Sequence, residues 1–486
     1  MNLHLFVPEI ILAGTAALVI LVDLFVERKG TLAVLAVLGA LAAIGYTLTL
    51  WGGSAAGIFG GRLAVDTFAL FFKLLILGIV VVVVLATTDY AGKMERFQGE
   101  YYALVLTSAL GMMVMSSATE LITIYVGLEL ASISLYALVG FLKDPKSTES
   151  SLKYLLLGAV ASAVMLYGMA LTFGVTGQTK LSAISSAIQG LGLSGALANP
   201  ALVMGVVLML AGFGFKIATV PFHMWVPDVY EGAPTPITAY LSVGSKAAGF
   251  ALVLRVFYTA FGEPVWLSQN WGLLFAILAA ISMTLGNTVA IPQTNIKRML
   301  GYSSIAQAGY LMVGLAAMGM APASDILGRS GVLFFLVSYA LTNLGAFAAI
   351  IAITNKVGSD LIQDFAGMGK RSPLIAGVLT LCLISLIGMP PAAGFMAKFY
   401  IFSGAVEHGL LWLVIVAAIN SVISAYYYLR VVKVMWFNDP VSAEAVPSSG
   451  AMRVGLALTS LGVLFVGIAP GFLLTWAQAA ARLLTS

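Results

Sequence analysis

Charge is what this sequence most lacks. Of 486 residues, 24 are Lys or Arg and 20 are Asp or Glu, 9% of the chain against 60% hydrophobic. A soluble protein carries about 25% charged residues. So few charges cannot cover a water-facing surface, which excludes a soluble enzyme, a nucleic-acid binder and a disordered chain. The formal charge of +4 is spread along the sequence and leaves no basic footprint for nucleic acid. Cysteine is all but missing: Cys382 stands alone, so a disulfide, a cysteine-held iron–sulfur cluster or a thiolate zinc site cannot be assembled. The three histidines, His4, His223 and His408, are too scattered to suggest a paired haem site. Neither a P-loop nor a glycine fingerprint between a strand and a helix occurs. The chain is expected to bind no cofactor and no metal, and to carry neither redox nor nucleotide chemistry by itself.

What is present is a series of apolar runs separated by short polar breaks. They cover 5–26, 31–51, 65–88, 100–117, 119–142, 149–175, 200–231 (interrupted), 235–261, 271–292, 296–319, 329–355, 372–407 (interrupted), 409–437 and 451–472. Each is long enough to cross a bilayer as a helix, which takes about 20 residues. The runs are continuously apolar, not alternating, which argues against a β-barrel. The reading is an all-α polytopic membrane protein of about fourteen spans. The first run has no charged stretch before it and reads as a retained span, not a cleaved signal peptide.

Basic residues orient the spans. With the N-terminus outside, the loops expected inside carry fourteen Lys or Arg, among them Arg28, Lys93, Arg96, Lys143, Lys297 and Arg430. The outside segments carry only Arg62, Lys180, Arg329 and Arg482. That bias obeys the positive-inside rule and checks the count, because a missed span would scramble the alternation beyond it. Both termini are expected on the outer side of a bacterial inner membrane.

Six basic residues remain inside the runs: Lys73, Lys153, Lys216, Lys246, Arg255 and Lys398. Among the acids only Glu129 is placed deep; it follows Glu120 by nine residues, about 13 Å along a helix. An ionisable group in the membrane is a functional candidate by default. Arg255 and Lys73 sit where they can snorkel to the surface. Lys153 follows Glu149 at i,i+4 in the favourable order, so a boundary salt bridge explains that pair as well as a functional role does. Lys216, Lys246 and Glu129 are too deep for either escape.

Two spans are broken by proline. In 212-GFGFKIATVPFHMWVPDVYEGAPTP-236, Pro221 lies five residues after Lys216 and two before His223. In 384-ISLIGMPPAAGFMAKFY-400, Pro390 and Pro391 precede Lys398. Proline frees backbone carbonyls, and in lipid these must find protein or water. His223 beside such a break has a capping role to weigh against a functional one. The broken spans are the seventh and the twelfth, so spans 4–8 and 9–13 superpose as two five-helix repeats. Repeats of odd helix number must be inverted, which is the pattern of transporters. The divisions are 1–99 (helices 1–3), 100–262 (first repeat), 263–437 (second repeat) and 438–486 (helix 14 and tail). A set of buried lysines beside a carboxylate suits protons more than solutes, because moving the carboxylate changes how tightly a lysine holds its proton. Thr219, Ser242, Ser245, Ser303, Ser304 and Tyr310 are hydroxylated residues that suit water chains, although such residues also pack helices.

The segments 220-VPFHMWVPDVYEGAPTPITAYLSVGSKAAGF-250, 294-TNIKRMLGYSSIAQAGY-310 and 388-GMPPAAGFMAKFY-400 resemble the antiporter-like membrane subunits of respiratory complex I, the NADH:quinone oxidoreductase. The PDVYEGAPTP variant and Lys398 are similar to the subunit N branch more than to subunits M or L. The resemblance covers essentially the whole chain. It implies proton-path roles for Glu129 in span 5, Glu149 and Lys153 around the start of span 6, Lys216 in span 7, His223 after the break, Lys246 in span 8 and Lys398 in span 12. It further implies a place in the membrane arm beside other antiporter-like and small membrane subunits, with no activity alone. NADH, FMN, iron–sulfur clusters and quinone are then expected in partner subunits. The alternatives are a subunit of a multisubunit cation/proton antiporter, the homologous subunit of a photosynthetic ferredoxin–plastoquinone complex, and a scaffold whose charges are structural relics.

Overall fold

The computed structural model describes residues 3–94, 97–197, 199–263, 265–322, 325–440 and 444–482. Arg96, counted above toward the inner face, lies outside them. The chain is a predominantly helical membrane protein with one short hairpin, in which Ala56–Ile58 pairs antiparallel with Leu63–Val65. Among the described residues, twelve helices are long and apolar enough to cross a membrane. Gln98–Ser117 and the broken pair Pro373–Ile387 and Ala393–Glu407 bring the tally to the fourteen spans expected.

Short polar side chains start these helices where the apolar runs begin. Asp66 accepts the Ala69 N–H at 2.7 Å, Asp144 the Ser147 N–H at 2.9 Å, and Asn295 the N–H groups of Lys297 and Arg298. Each satisfies donors that the first helical turn leaves open. Gly177 (φ 64°) and Gly358 (φ 75°) end two of the longest helices in the left-handed conformation that glycine adopts without penalty.

The spans form an enclosed centre and a rim. Thr235–Thr259 is buried over all but its last two residues, and Ile296–Met320 and Leu327–Val357 are nearly all buried. Pro145–Thr176 and Leu411–Phe437 turn residues such as Leu156, Val160, Ile419 and Val422 outward. These rim faces are apolar because their surroundings are lipid or other apolar helices.

Among the described residues, the ion pairs between loops join loops assigned to the same side of the membrane. At one end Arg62 pairs with Glu120 at 3.2 Å, the backbone at Glu120 forms an isolated antiparallel β-bridge with that at Lys180, and His408 pairs with Asp325 at 2.8 Å. At the other, Lys297 meets Asp360 at 3.2 Å, Lys356 meets Glu444 at 2.5 Å, and Asn355 donates to the Asp89 carbonyl. A wrong span count would have mixed the two sets.

Three features differ from the sequence reading. Residues read as a connection form a further helical stretch, Leu181–Leu197, kinked at Gly192 (φ 67°), and the tail forms Gly471–Arg482, whose Trp476 stacks on Trp51 at 4.4 Å. Arg255 and Lys73 do not snorkel. Arg255 makes a two-pronged contact with Asp66, 2.9 Å on each arm, and donates to the Ser116 carbonyl at 3.1 Å. Lys73 meets Glu9 at 2.6 Å with both side chains 1% exposed. Glu9 was therefore missed as a buried acid: it lies so near the chain start that the span seemed to have barely begun. Arg329 and Lys297, counted as surface topology signals, are buried as well.

Candidate functional site

The seventh span ends its first half at Ile217, and Ala218 takes the left-handed conformation (φ 63°), which costs energy for a residue with a Cβ. The chain then runs through a cis Val220–Pro221 bond into the short helix Val226–Gly232. Groups freed by the break find partners from other elements. Ser282 of the ninth span accepts the Val220 N–H at 3.0 Å and bonds the Thr219 hydroxyl at 3.1 Å, and Trp225 donates to the Phe215 carbonyl at 3.1 Å. This is how a broken helix is tolerated at membrane depth.

Lys216 lies one residue before that end, buried, and donates to Ser132 Oγ at 2.5 Å. Glu129 is one turn from Ser132 on the fifth span and shares its face. The two do not form an ion pair: among the described residues no carboxylate lies within 4.0 Å of Lys216 Nζ. One carboxylate oxygen of Glu129 is buried and makes no hydrogen bond among the described residues. The structure thus brings acid and lysine to one neighbourhood and leaves them apart.

In the eighth span a π-helical turn, Leu241–Ser245, immediately precedes Lys246. Such turns interrupt the regular ladder and are frequent where a side chain must be aimed. Lys246 Nζ donates to Ser304 Oγ at 2.6 Å and to the Ser304 carbonyl. The Ser304 hydroxyl also meets Tyr230 and Tyr339, each at 3.1 Å. Asn343 donates to Tyr339 at 3.3 Å and to Ser242 at 2.6 Å. Next to this hub, Ser303 bonds Tyr428.

The twelfth span breaks after Ile387, with Gly388 at φ 92° and a cis Pro390–Pro391 bond. The break itself makes the lysine site: Lys398 Nζ donates to the freed carbonyls of Ile387 at 2.8 Å and Leu386 at 3.3 Å, and to Ser421 Oγ at 2.9 Å. Gln307, one turn from Ser303 on the tenth span, donates to the same Leu386 carbonyl at 3.0 Å. Ser303, Ser304 and Gln307 therefore lie between Lys246 and Lys398. Beyond Lys398, Tyr310, Asn287 and Tyr427 continue the polar line. A cavity of about 620 Å³ runs beside it, lined mainly by apolar side chains such as Ile387, Phe395, Phe399, Phe402 and Val406, with Lys398, Ser403, Glu407 and Ser421 as its polar members.

Glu149 and Lys153 pair at 2.8 Å, as their spacing indicates. They belong to a larger network that the sequence reading missed. Lys153 also meets Asp228 at 2.8 Å, Arg298 bridges Asp228 at 2.7 Å and Glu231 at 3.1 Å, and Lys146 meets Glu231 at 3.0 Å. The i,i+3 spacing of Asp228 and Glu231 beside a proline break was the signal available. His223, five residues before Asp228 in the chain, makes no ion pair with this network among the described residues, and its Nδ1 is buried.

The family model described as NADH:quinone oxidoreductase/Mrp antiporter, TM, matches residues 118–424. A relative from Dehalococcoides mccartyi, NADH-quinone oxidoreductase subunit N, is 51% identical over 99% of this chain and 100% of its own length. A chain of respiratory complex I from Thermus thermophilus is 32% identical and superposes with a TM-score of 0.80 over 96% of this chain and 98% of that one. A chain of the membrane-bound sulfane sulfur reductase, an archaeal respiratory membrane complex, is 26% identical with a TM-score of 0.86 over 98% of this chain and 97% of that one.

Proposed function

The chain belongs to the NADH:quinone oxidoreductase/Mrp antiporter membrane family, on its subunit N branch, and from that premise we propose that it is a non-redox membrane-arm subunit of a proton-translocating NADH:quinone oxidoreductase. Quinone reduction elsewhere in the complex shifts a chain of buried charges, and protons move along this subunit in response. The supporting observation is that Lys216, Lys246 and Lys398 are all buried and held by hydroxyls or freed carbonyls, with no carboxylate in ion-pair reach among the described residues. Lysines locked to carboxylates would hold their protons; these are poised to exchange them.

In this reading the N-terminus is outer, and spans 4–8 and 9–13 are inverted repeats. The rim network of Glu149, Lys153 and Asp228, with His223 five residues before Asp228, guards the inner mouth. Movement of Glu129 toward or away from Lys216 sets how firmly that lysine holds its proton. The proton then passes by Lys246 and the Ser304 hub to Lys398, and leaves along the cavity that ends at Glu407. Flavin, iron–sulfur clusters and quinone belong to partner subunits of the same assembly.

The test is Glu129→Ala or Lys216→Ala in an assembled complex. Proton pumping coupled to NADH oxidation should fall; unchanged stoichiometry in both variants, with assembly verified, sinks the proposal. Mass spectrometry of co-purifying proteins separates the rival assemblies: flavin- and iron–sulfur-containing subunits for the oxidoreductase, their absence for a cation/proton antiporter.

A further inference from the structure

The pair of Glu9 and Lys73 stands outside the central chain, in the three helices that precede the first repeat. Glu9 Oε1 is 2.6 Å from Lys73 Nζ. Its second oxygen, Oε2, is equally buried and makes no hydrogen bond among the described residues. Stability alone explains this poorly, because apolar residues of similar size hold a buried contact as well as an ion pair does. A buried acceptor left open is costly unless water reaches it.

Water has a place from which to reach it. A cavity of about 290 Å³ is lined by His4, Leu5, Thr49, Asp66, Thr67 and Leu70. Leu5 precedes Glu9 by four residues and Leu70 precedes Lys73 by three. The pair therefore lies one helical turn, about 5 Å, beneath the cavity. The cavity belongs to the end of the molecule where Arg62, Glu120 and Lys180 meet.

We propose that Glu9 and Lys73 form a second proton-binding site of this subunit, reached from the outer face through this cavity and separate from the Lys216–Lys398 chain. The word "outer" rests on the orientation proposed above; the site does not depend on the central chain. A proton passes from a hydronium ion in the cavity to Glu9 Oε2: one O–H bond forms, the donor's O–H bond breaks, and the site gains one positive charge. Return of the proton to water restores the ion pair. The charged or titratable groups around the site are His4, Asp66 and Arg255, the last two tied to each other. The second span offers only Tyr46, the outer half of the fourth offers none, and the C-terminal helix ends in Arg482.

The test uses the whole complex in proteoliposomes, with inner pH held and outer pH varied. Glu9→Gln keeps the shape and removes the exchangeable proton. The double variant Glu9→Leu with Lys73→Met removes both charges and lets the helices pack. Each variant that assembles should lose the same titrating step from the outer-pH dependence of NADH-driven turnover. A wild-type profile in an assembled variant makes the pair a structural staple and overturns the proposal. Should neither assemble, the wild-type complex decides through dicyclohexylcarbodiimide, which adds to a carboxyl only when it is protonated. An adduct on Glu9 that grows as outer pH is lowered is expected, and a Glu9 unlabelled at every pH overturns the proposal. Failure of the central-chain reading is seen separately, as full pumping in Lys216→Ala while the result at Glu9 stands.

Discussion

The two five-span blocks use one backbone device and fill it with different chemistry. In the first, a Cβ on Gly111 would come within 2.5 Å of the Ala131 nitrogen and 2.8 Å of the Gly127 carbonyl. In the second, a Cβ on Gly286 would come within 2.6 Å of the Ala306 nitrogen and 2.8 Å of the Tyr302 carbonyl. The same close crossing thus recurs between spans 4 and 5 and between spans 9 and 10. It aligns Gly127 with Tyr302, and hence Glu129 with Ser304. Where one block has a carboxylate, the other has a hydroxyl, and that hydroxyl receives Lys246 from the first block. The broken helices differ likewise. Lys216 precedes its break and binds a serine on another helix; Lys398 follows its break and binds the carbonyls the break released. For the proposed relay, this difference between the two crossings lets the charges run in one direction along the molecule.

The largest effect that would sharpen this comparison is at the two unlike lysines. Lys216→Ala and Lys398→Ala should each remove most of the coupled proton pumping. Arginine distinguishes charge from proton exchange, because guanidinium does not deprotonate in proteins. Lys398→Arg should fail as alanine does if the lysine passes a proton. Pumping restored by Lys398→Arg would leave it the role of a fixed charge. Pumping by the reconstituted complex, normalised to assembled protein, reads both.

Next in size is the shared crossing. Gly111→Ala and Gly286→Ala each push a methyl group into neighbouring backbone, and overpacking of this kind costs about 1–3 kcal/mol. The two should lower the thermal stability of the purified complex by similar amounts. A block that tolerates its alanine would break the equivalence.

Much of this arrangement was legible in the sequence, because the bilayer enforces its own grammar. Span count and the two breaks follow from apolar length and proline, and the structure bears them out; sidedness rests on loop charge alone. Lys216, Lys246 and Lys398 were exposed as candidates by the same rule that makes buried charge costly. Partnership was not legible. Ser132 and Ser304 look like any small residue that packs a helix, and nothing in spacing brings Glu9 to Lys73 across 64 positions. Asp228 and Arg298 read as loop and boundary charges until the short helix Val226–Gly232 is seen lying between the sixth and tenth spans. Interhelical pairs depend on how helices rotate against each other, and a periodic pattern in one helix does not contain that.

The rims of the blocks carry the same contrast and the smallest effects. On the first block's rim, Asp228 and Glu231 share three cations, so Asp228→Asn removes two contacts at once. These side chains are about a third exposed, and the loss should be about 1 kcal/mol, read as a lower melting temperature with pumping also reduced. Beside the second, Glu444 of the segment after span 13 holds Lys356 at 2.5 Å, with Glu444 69% exposed. The hydrogen bond from Lys356, and then its charge, hold the Glu444 carboxyl below the ordinary carboxylate range. A carboxyl lowered in this way supports the folded state above its unfolded value, near about 4.3, and that support is lost as pH falls through the lowered value. Glu444→Gln should therefore shift melting only slightly at neutral pH, and the difference from wild type should vanish in acid. Solvent screens this pair, so added salt should erase the difference at neutral pH as well. A Glu444→Gln shift as large as that of Asp228→Asn, or one that survives both acid and salt, would make the two rims equivalent and leave the asymmetry of the blocks to the buried lysines alone.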